Sequence, residues 1–262
     1  MVLAIDIGNT NIVAGCFDGD KITFIERLST NQNSTELEYA MLIKNVLEIN
    51  EIDSKNIEGS IISSVVPNIT QTLNNAIEKI TGKQPIIVGP GIKTGVSIKI
   101  DNPAQLGSDI LVGAVAGIAE YNTPLVIIDM GTATTISVIN KNKEYLGGMI
   151  MPGIRISLNS LVGGTSQLPK ISLEPPKKFI GSNTVDAMES GILYTNACGI
   201  DGMIDRIEKE LGEKVTAVAT GGLSKVVIPL CEKSIILDDE LLLKGLRILY
   251  NKNKRDCKKS LT

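Results

Sequence analysis

Three aspartates stand where a carboxylate can do chemistry. Asp6 closes an apolar run and is followed by Ile7, Gly8 and the polar string Asn9-Thr10-Asn11, before apolar residues resume at Ile12 and Val13. Half a chain later the arrangement returns as Ile128-Asp129-Met130-Gly131-Thr132-Ala133-Thr134-Thr135-Ile136. Asp-x-Gly after a hydrophobic strand is also an ordinary turn, the Asp bonding nearby backbone and the Gly supplying positive φ. A plain turn has no need of Asn-Thr-Asn or Thr-Ala-Thr-Thr after the glycine, whereas phosphate oxygens need N–H and side-chain donors there. Two such loops at matching places in two halves fit a metal-bound polyphosphate gripped from opposite walls of a cleft. The third carboxylate, Asp109, follows Gly107 and Ser108 at the start of a helical pattern carrying Leu111, Val112, Val115 and Ile118. At or near an N-cap it is either a simple cap or a group placed for acid–base work.

Composition narrows the chemistry. The chain has no histidine, which removes Ser-His-Asp and Cys-His catalysis, phosphohistidine transfer and imidazole metal sites together. Carboxylates, hydroxyls, backbone amides and metal ions remain, and phosphoryl transfer runs on that inventory. A net charge of −3 gives no general attraction to nucleic acid or anionic membrane. The positive cluster Lys252-Asn253-Lys254-Arg255-Asp256-Cys257-Lys258-Lys259 reads as a solvated terminus. Cys16, Cys198, Cys231 and Cys257 are scattered without a C-x-x-C pair, so neither a disulfide framework nor a zinc site is indicated and a reducing cytosol fits. No apolar run reaches membrane-spanning length and no signal-peptide pattern opens the chain, which predicts a cytoplasmic protein.

The elements that must position these residues repeat as well. Strands are predicted over 1–9, 12–17 and 21–28, with Asp18-Gly19-Asp20 as the first hairpin turn. A capping box at Thr35 and Glu38 opens a helix with Leu37, Ala40, Ile43 and Leu47 on one face. A strand over 59–66 ends at Pro67, Asn68 caps a helix to about Lys79, and a short strand covers 84–88. The order β-β-β-α-β-α-β then begins again with strands over 125–129, 134–139 and 145–151. Helices follow over 154–161 and 183–211, a strand over 215–219, a helix over 224–231, a strand over 234–237 and a last helix over 240–251. The reading is α/β, with two lobes of mixed sheet, residues 1–121 and 122–262, helices on the sheet faces and a crevice between. Gly147-Gly148, Pro152-Gly153 and Thr220-Gly221-Gly222 lie at strand ends, where a flat surface free of side chains suits a base or ribose.

Taken jointly, these motifs resemble one family. Asp6-Ile7-Gly8-Asn9-Thr10-Asn11, Asn102-Pro103 with Leu106-Gly107-Ser108-Asp109, Asp129 to Thr135, Gly147-Gly148 with Pro152-Gly153, Gly181 with Asn183-Thr184 and Met188, Ser190 and Gly191, and Thr220-Gly221-Gly222 occur together and in order. The chain resembles the type III pantothenate kinases, members of the actin-like ATPase superfamily of duplicated ribonuclease-H-like lobes, from its start to about residue 250. The resemblance implies ATP-dependent phosphorylation of pantothenate, the first step of coenzyme A synthesis. It implies ATP binding by Asp6, Ile7, Gly8, Asn9, Thr10, Asn11, Ile12, Val13, Gly131 and Thr132, with Asp6 holding Mg²⁺ and Asp129 a monovalent cation, K⁺ or NH₄⁺. It implies Asp109 as general base, pantothenate contacts from Gly107, Ser108, Asp109 and Thr184, and a homodimer, while the charge balance above predicts no nucleic-acid and no membrane partner.

Departures from the family's common pattern bear on the acceptor. Ile110 stands where the family has Arg, Ile100 where it has Tyr and Gly113 where it has Asn. A charge-assisted hydrogen bond of the kind lost with that Arg contributes on the order of 1.5–3 kcal/mol. Rival readings follow: a non-catalytic nucleotide-binding regulator related to the family, a kinase of another small alcohol such as a sugar, or a phosphatase of the same superfamily.

Overall fold

Aliphatic residues without a polar alternation give the first strand, β1 (Val2–Ile7), the burial of a strand covered on both faces. The computed structural model describes residues 1–254; Arg255 to Lys259 of the basic cluster, Cys257 among them, lie outside the described residues. Around β1 the chain adds β2 (Asn11–Asp18), β3 (Lys21–Ser29), helix α1 (Glu36–Ile49), β4 (Gly59–Ser64), α2 (Pro67–Thr81) and β5 (Ile86–Ile87). The sheet order is β3-β2-β1-β4-β5, with β1, β2 and β3 antiparallel in turn and β4 and β5 parallel to β1 and β4. Edge strand β3 alternates exposed and covered residues, as an edge with one wet face should.

After β6 (Ser97–Ile98) and α3 (Ser108–Glu120) the same pattern recurs. It runs β7 (Leu125–Met130), β8 (Ala133–Ile139), β9 (Glu144–Pro152), α4 (Ile154–Gly163), α5 (Thr184–Leu211), β10 (Thr216–Thr220), α6 (Ser224–Val227), β11 (Ile236–Leu237) and α7 (Leu241–Asn253). The second sheet reads β11-β10-β7-β8-β9-β6, so β7 with its neighbours repeats the arrangement around β1 and β6 is an added edge paired parallel to β9. The mixed sheets and their helices are the α/β architecture that the motif order predicts.

The chain forms two compact units. Among the described residues, the first comprises 1–95, 104–116 and 242–254; the second comprises 96–103 and 117–241. In the first, Leu3, Ile5 and Ile7 of β1 pack with Tyr39, Ile43 and Leu47 of α1 and Ile69, Leu73 and Ile77 of α2. In the second, Val126, Ile128 and Met130 of β7 pack with Leu193, Ala197, Ile200 and Ile204 along α5.

Local expectations fail at a few points. Leu37 is exposed, and α1 buries Tyr39 and Val46 in its place beside Ala40, Ile43 and Leu47. Helix α2 starts one residue before Asn68: Val66 is the N-cap without a side-chain bond, and Pro67 occupies the first turn, where its missing N–H costs nothing. The helix over 224–231 ends after Val227 and continues as a 3-10 turn over Ile228–Leu230. Strand β6 had no local signal.

Candidate active site

Asp6 is the last-but-one residue of β1 and is half-buried. Its strand neighbours are Val13 on antiparallel β2 and Ser63 on parallel β4. Between β1 and β2 the chain turns tightly, the Gly8 N–H donating to the Asn11 carbonyl at 2.9 Å. Thr30, just past β3, clamps this turn: its hydroxyl donates to the Gly8 carbonyl at 2.6 Å and its N–H to the Thr10 carbonyl at 3.0 Å. The Gly8 N–H is therefore spent inside the turn, while Asn9, Thr10 and Asn11 are exposed at its tip. Ile12 is buried and Val13 half-buried, on opposite faces of β2, with Val13 opposite Asp6 and Ile12 opposite Ile7.

Asp109 belongs to the same unit. Its α3 begins with the Leu111 N–H donating to the Gly107 carbonyl at 3.0 Å, which makes Gly107 the cap and sets Asp109 in the first turn. Oδ1 of Asp109 accepts the Ile110 N–H at 2.8 Å. A Cβ on residue 107 would stand 2.6 Å from that oxygen, so glycine there leaves the carboxylate its place. Burial pushes the Asp109 carboxyl above the ordinary carboxylate range, and the backbone N–H bond only partly opposes it.

Ser108 connects this helix start to the sheet. Its hydroxyl donates to the Ser64 carbonyl at 2.8 Å and accepts the Ser64 N–H at 3.1 Å and the Ser63 hydroxyl at 3.2 Å. Ser64 is tied in turn to α2, accepting the Thr70 hydroxyl at 2.7 Å. Sequence patterning gave no notice of Ser63, Ser64, Thr70 or Thr30. The only trace was a pair of serines breaking an apolar strand at its end.

The second unit builds the matching corner around Asp129. Its neighbours are Thr135 on β8 and Thr220 on β10, the positions that Val13 and Ser63 hold around Asp6. The Gly131 N–H donates to the Ala133 carbonyl at 3.0 Å, closing a turn whose Gly131 and Thr132 are exposed. Two glycines cradle it. A Cβ on Gly153 would fall 2.0 Å from the Thr132 carbonyl oxygen, and one on Gly221, whose φ is +94°, 2.7 Å from Asp129 Oδ1. The glycine clusters after β9 and β10 thus make room for the Asp129 turn. Thr134, by contrast, is fully buried with its hydroxyl unpartnered.

Thr184 is exposed in the first turn of α5, where Asn183 caps by accepting the Asp186 N–H at 2.9 Å. The residues around it are architectural. Ser190 donates to the Phe179 carbonyl, the Phe179 ring stands edge-on to Tyr194 at 4.7 Å, and Gly181 lies against the backbone of Ala187.

Comparison with known proteins places this arrangement. The model of a family described as type III pantothenate kinase matches residues 2–206. A type III pantothenate kinase of an Exiguobacterium species is 43% identical over 255 residues, covering 97% of this chain and 100% of the relative. One from Bacillus cytotoxicus is 44% identical over 253 residues, 97% of each chain. A solved structure from Campylobacter jejuni, described as a Baf family transcriptional activator, has a TM-score of 0.58 at 22% identity over 96% of this chain and 98% of that one. A Sinorhizobium meliloti structure described as a 2-dehydro-3-deoxygalactonokinase has a TM-score of 0.59 at 10% identity over 100% of both. At such identities the likeness is one of fold, an α/β chain with two mixed sheets in which the arrangement around β1 recurs around β7. With the family model spanning most of its length and its relatives matching end to end, the chain belongs to the type III pantothenate kinase family.

Proposed function

We propose that the chain transfers the γ-phosphoryl group of ATP to the primary alcohol of pantothenate, with Asp109 as the general base. Family membership supports the reaction. The observation that carries the role of Asp109 is its half-buried carboxylate with raised proton affinity, fixed at a helix start that is bonded to the strand beside Asp6. The pantothenate oxygen attacks the γ-phosphorus, the bond to the bridging oxygen breaks, ADP leaves, and the hydroxyl proton passes to Asp109. A loose transition state asks for little deprotonation early, so a carboxylate can orient the alcohol and take its proton late.

Asn9, Thr10 and Asn11 offer donors to the phosphates from the exposed tip of the first turn, and Gly131 with Thr132 supply further ATP contacts. Gly107 and Asp109 meet pantothenate at the start of α3, with Thr184 as a further contact. The residues present fit the expected ions. The single carboxylate near the end of β1, Asp6, suits Mg²⁺, an ion usually held by one or two carboxylates plus phosphates and water. Asp6 would hold it, and the ion would supply charge neutralisation on the ATP phosphates. Asp129, in a corner that a Cβ on Gly221 would fill, would hold K⁺ or NH₄⁺. The enzyme is a cytoplasmic homodimer in this reading; among the described residues no helix is long and apolar enough to cross a membrane.

Ile110 sets aliphatic surface beside Gly107, a Cβ there lying 3.9 Å from its Cδ1. It cannot pair with the pantothenate carboxylate, so the acceptor has to be tested. ADP release is measured with pantothenate and with a panel of other small alcohols, with and without K⁺. Turnover is expected with pantothenate and should depend on the cation. No turnover on pantothenate under any cation ends the assignment.

A further inference from the structure

The Ser108 hydroxyl has one proton to give and two lone pairs to offer, and all are used. The proton goes to the Ser64 carbonyl, and the lone pairs take the Ser64 N–H and the Ser63 hydroxyl. Nothing is left with which that hydroxyl could hold a substrate, the role the family pattern assigns to its position. Its partners have a position of their own. Ser63 is fully buried and is the parallel-strand neighbour of Asp6, so the two side chains share one face of the sheet. The next residue after Ser108 is Asp109.

We propose that Ser108 and Ser63 are positioning residues, whose hydroxyl pair fixes the start of α3, and with it the Asp109 carboxylate, against the strand end that carries Asp6. The preceding residue, Gly107, has no side chain with which to anchor the helix start. Thr70 backs the pair from α2 through Ser64. The pair holds the base relative to Asp6 and leaves substrate binding to other groups. A base that drifts loses catalysis faster than it loses binding, since a displacement of about 1 Å costs on the order of 100-fold in rate.

This inference rests on the kinase reading, and the experiment separates the two. Wild type, Ser108→Ala, Ser63→Ala and the double variant are assayed over the pantothenate and ATP ranges, with thermal melts to verify folding. Ser108→Ala should lower kcat on the order of 10-fold while KM for both substrates stays within about twofold. Ser63→Ala should show the same split more weakly, and the double variant should be no worse than Ser108→Ala, as for residues of one network. Wild-type kcat in Ser108→Ala, or a pantothenate KM that rises while kcat holds, overturns the positioning role and leaves the kinase intact. Wild-type activity on another alcohol in place of pantothenate overturns the function, and the variant ratio is then read on that alcohol. Inactivity on every alcohol overturns both.

Discussion

At Asp109 the same burial that makes a better proton acceptor makes a less comfortable charge. Desolvation raises its pKa in the folded chain above the unfolded value, so at neutral pH the ionised carboxylate weakens the fold. Asp109→Asn keeps an oxygen for the Ile110 N–H and removes both the charge and the proton-accepting function. Activity is expected to fall about 10²- to 10⁴-fold, with a melting temperature equal to or above wild type. A melting temperature well below wild type would mean that the carboxylate chiefly serves to hold the first turn of α3. Thr134 makes the complementary case. Its hydroxyl sits buried without a partner, so Thr134→Val should stabilise by roughly 1 kcal/mol in denaturant titration and leave KM for ATP unchanged. From its place in the Thr-Ala-Thr-Thr string it read as a phosphate donor. Only the strand register, which pairs it with Met130 and turns it toward the core, shows otherwise.

Among the elements, the turns that follow β1 and β7 depend on what lies behind them. Gly153→Ala would drive a Cβ into the Thr132 carbonyl, backbone that has to move. Overpacking of this kind costs typically about 1–3 kcal/mol, and here the strain falls on the turn proposed to meet ATP. A raised KM for ATP with a lowered melting temperature is expected, and an unchanged KM would remove that turn from the nucleotide site. Gly202→Ala, mid-helix in α5 with open space around it, is the control and should gain about 0.5–1 kcal/mol. The same contrast explains what the sequence could convey. The Thr35–Glu38 capping box is a pattern within four residues, and it forms as read. Strand β6 exists only because Ser97 and Ile98 find Glu144 and Tyr145, far along the chain. Ser108 looks like any helix-start serine until its partners on β4 are known. Local chemistry was legible, including the repeated Asp-x-Gly; long-range pairing, which decides which hydroxyl is spent and which is offered, was not.

For the whole molecule, the missing histidines shape the response to pH. With none in the chain, the side chain that ordinarily titrates between about pH 5 and 8 is absent. Burial pushes the Cys16 thiol up and the Cys231 thiol up to about 12, away from that window. Stability should therefore be nearly flat from about pH 6 to 8. Below it, two sets of carboxylates act with opposite signs. Lys79 beside Glu36, the Thr35 N–H on Glu38, Asn140 beside Glu144, Lys233 beside Asp205 and Lys214 beside Glu208 hold those groups below their ordinary range. Each contributes stability that is present above the unfolded pKa and is lost as pH falls through the folded one. Asp109, raised, does the reverse: protonating it relieves a buried charge and stabilises the fold while disabling the base. On acidification activity should disappear first, in a chain that is still folded, and the fold should fail only at lower pH. Phosphoryl-transfer assays and circular dichroism across one pH series, with samples returned to neutrality, check this. Recovery of full activity from the folded, inactive range is expected, whereas coincident loss of activity and ellipticity would mean that protonation of Asp109 is not what stops the reaction.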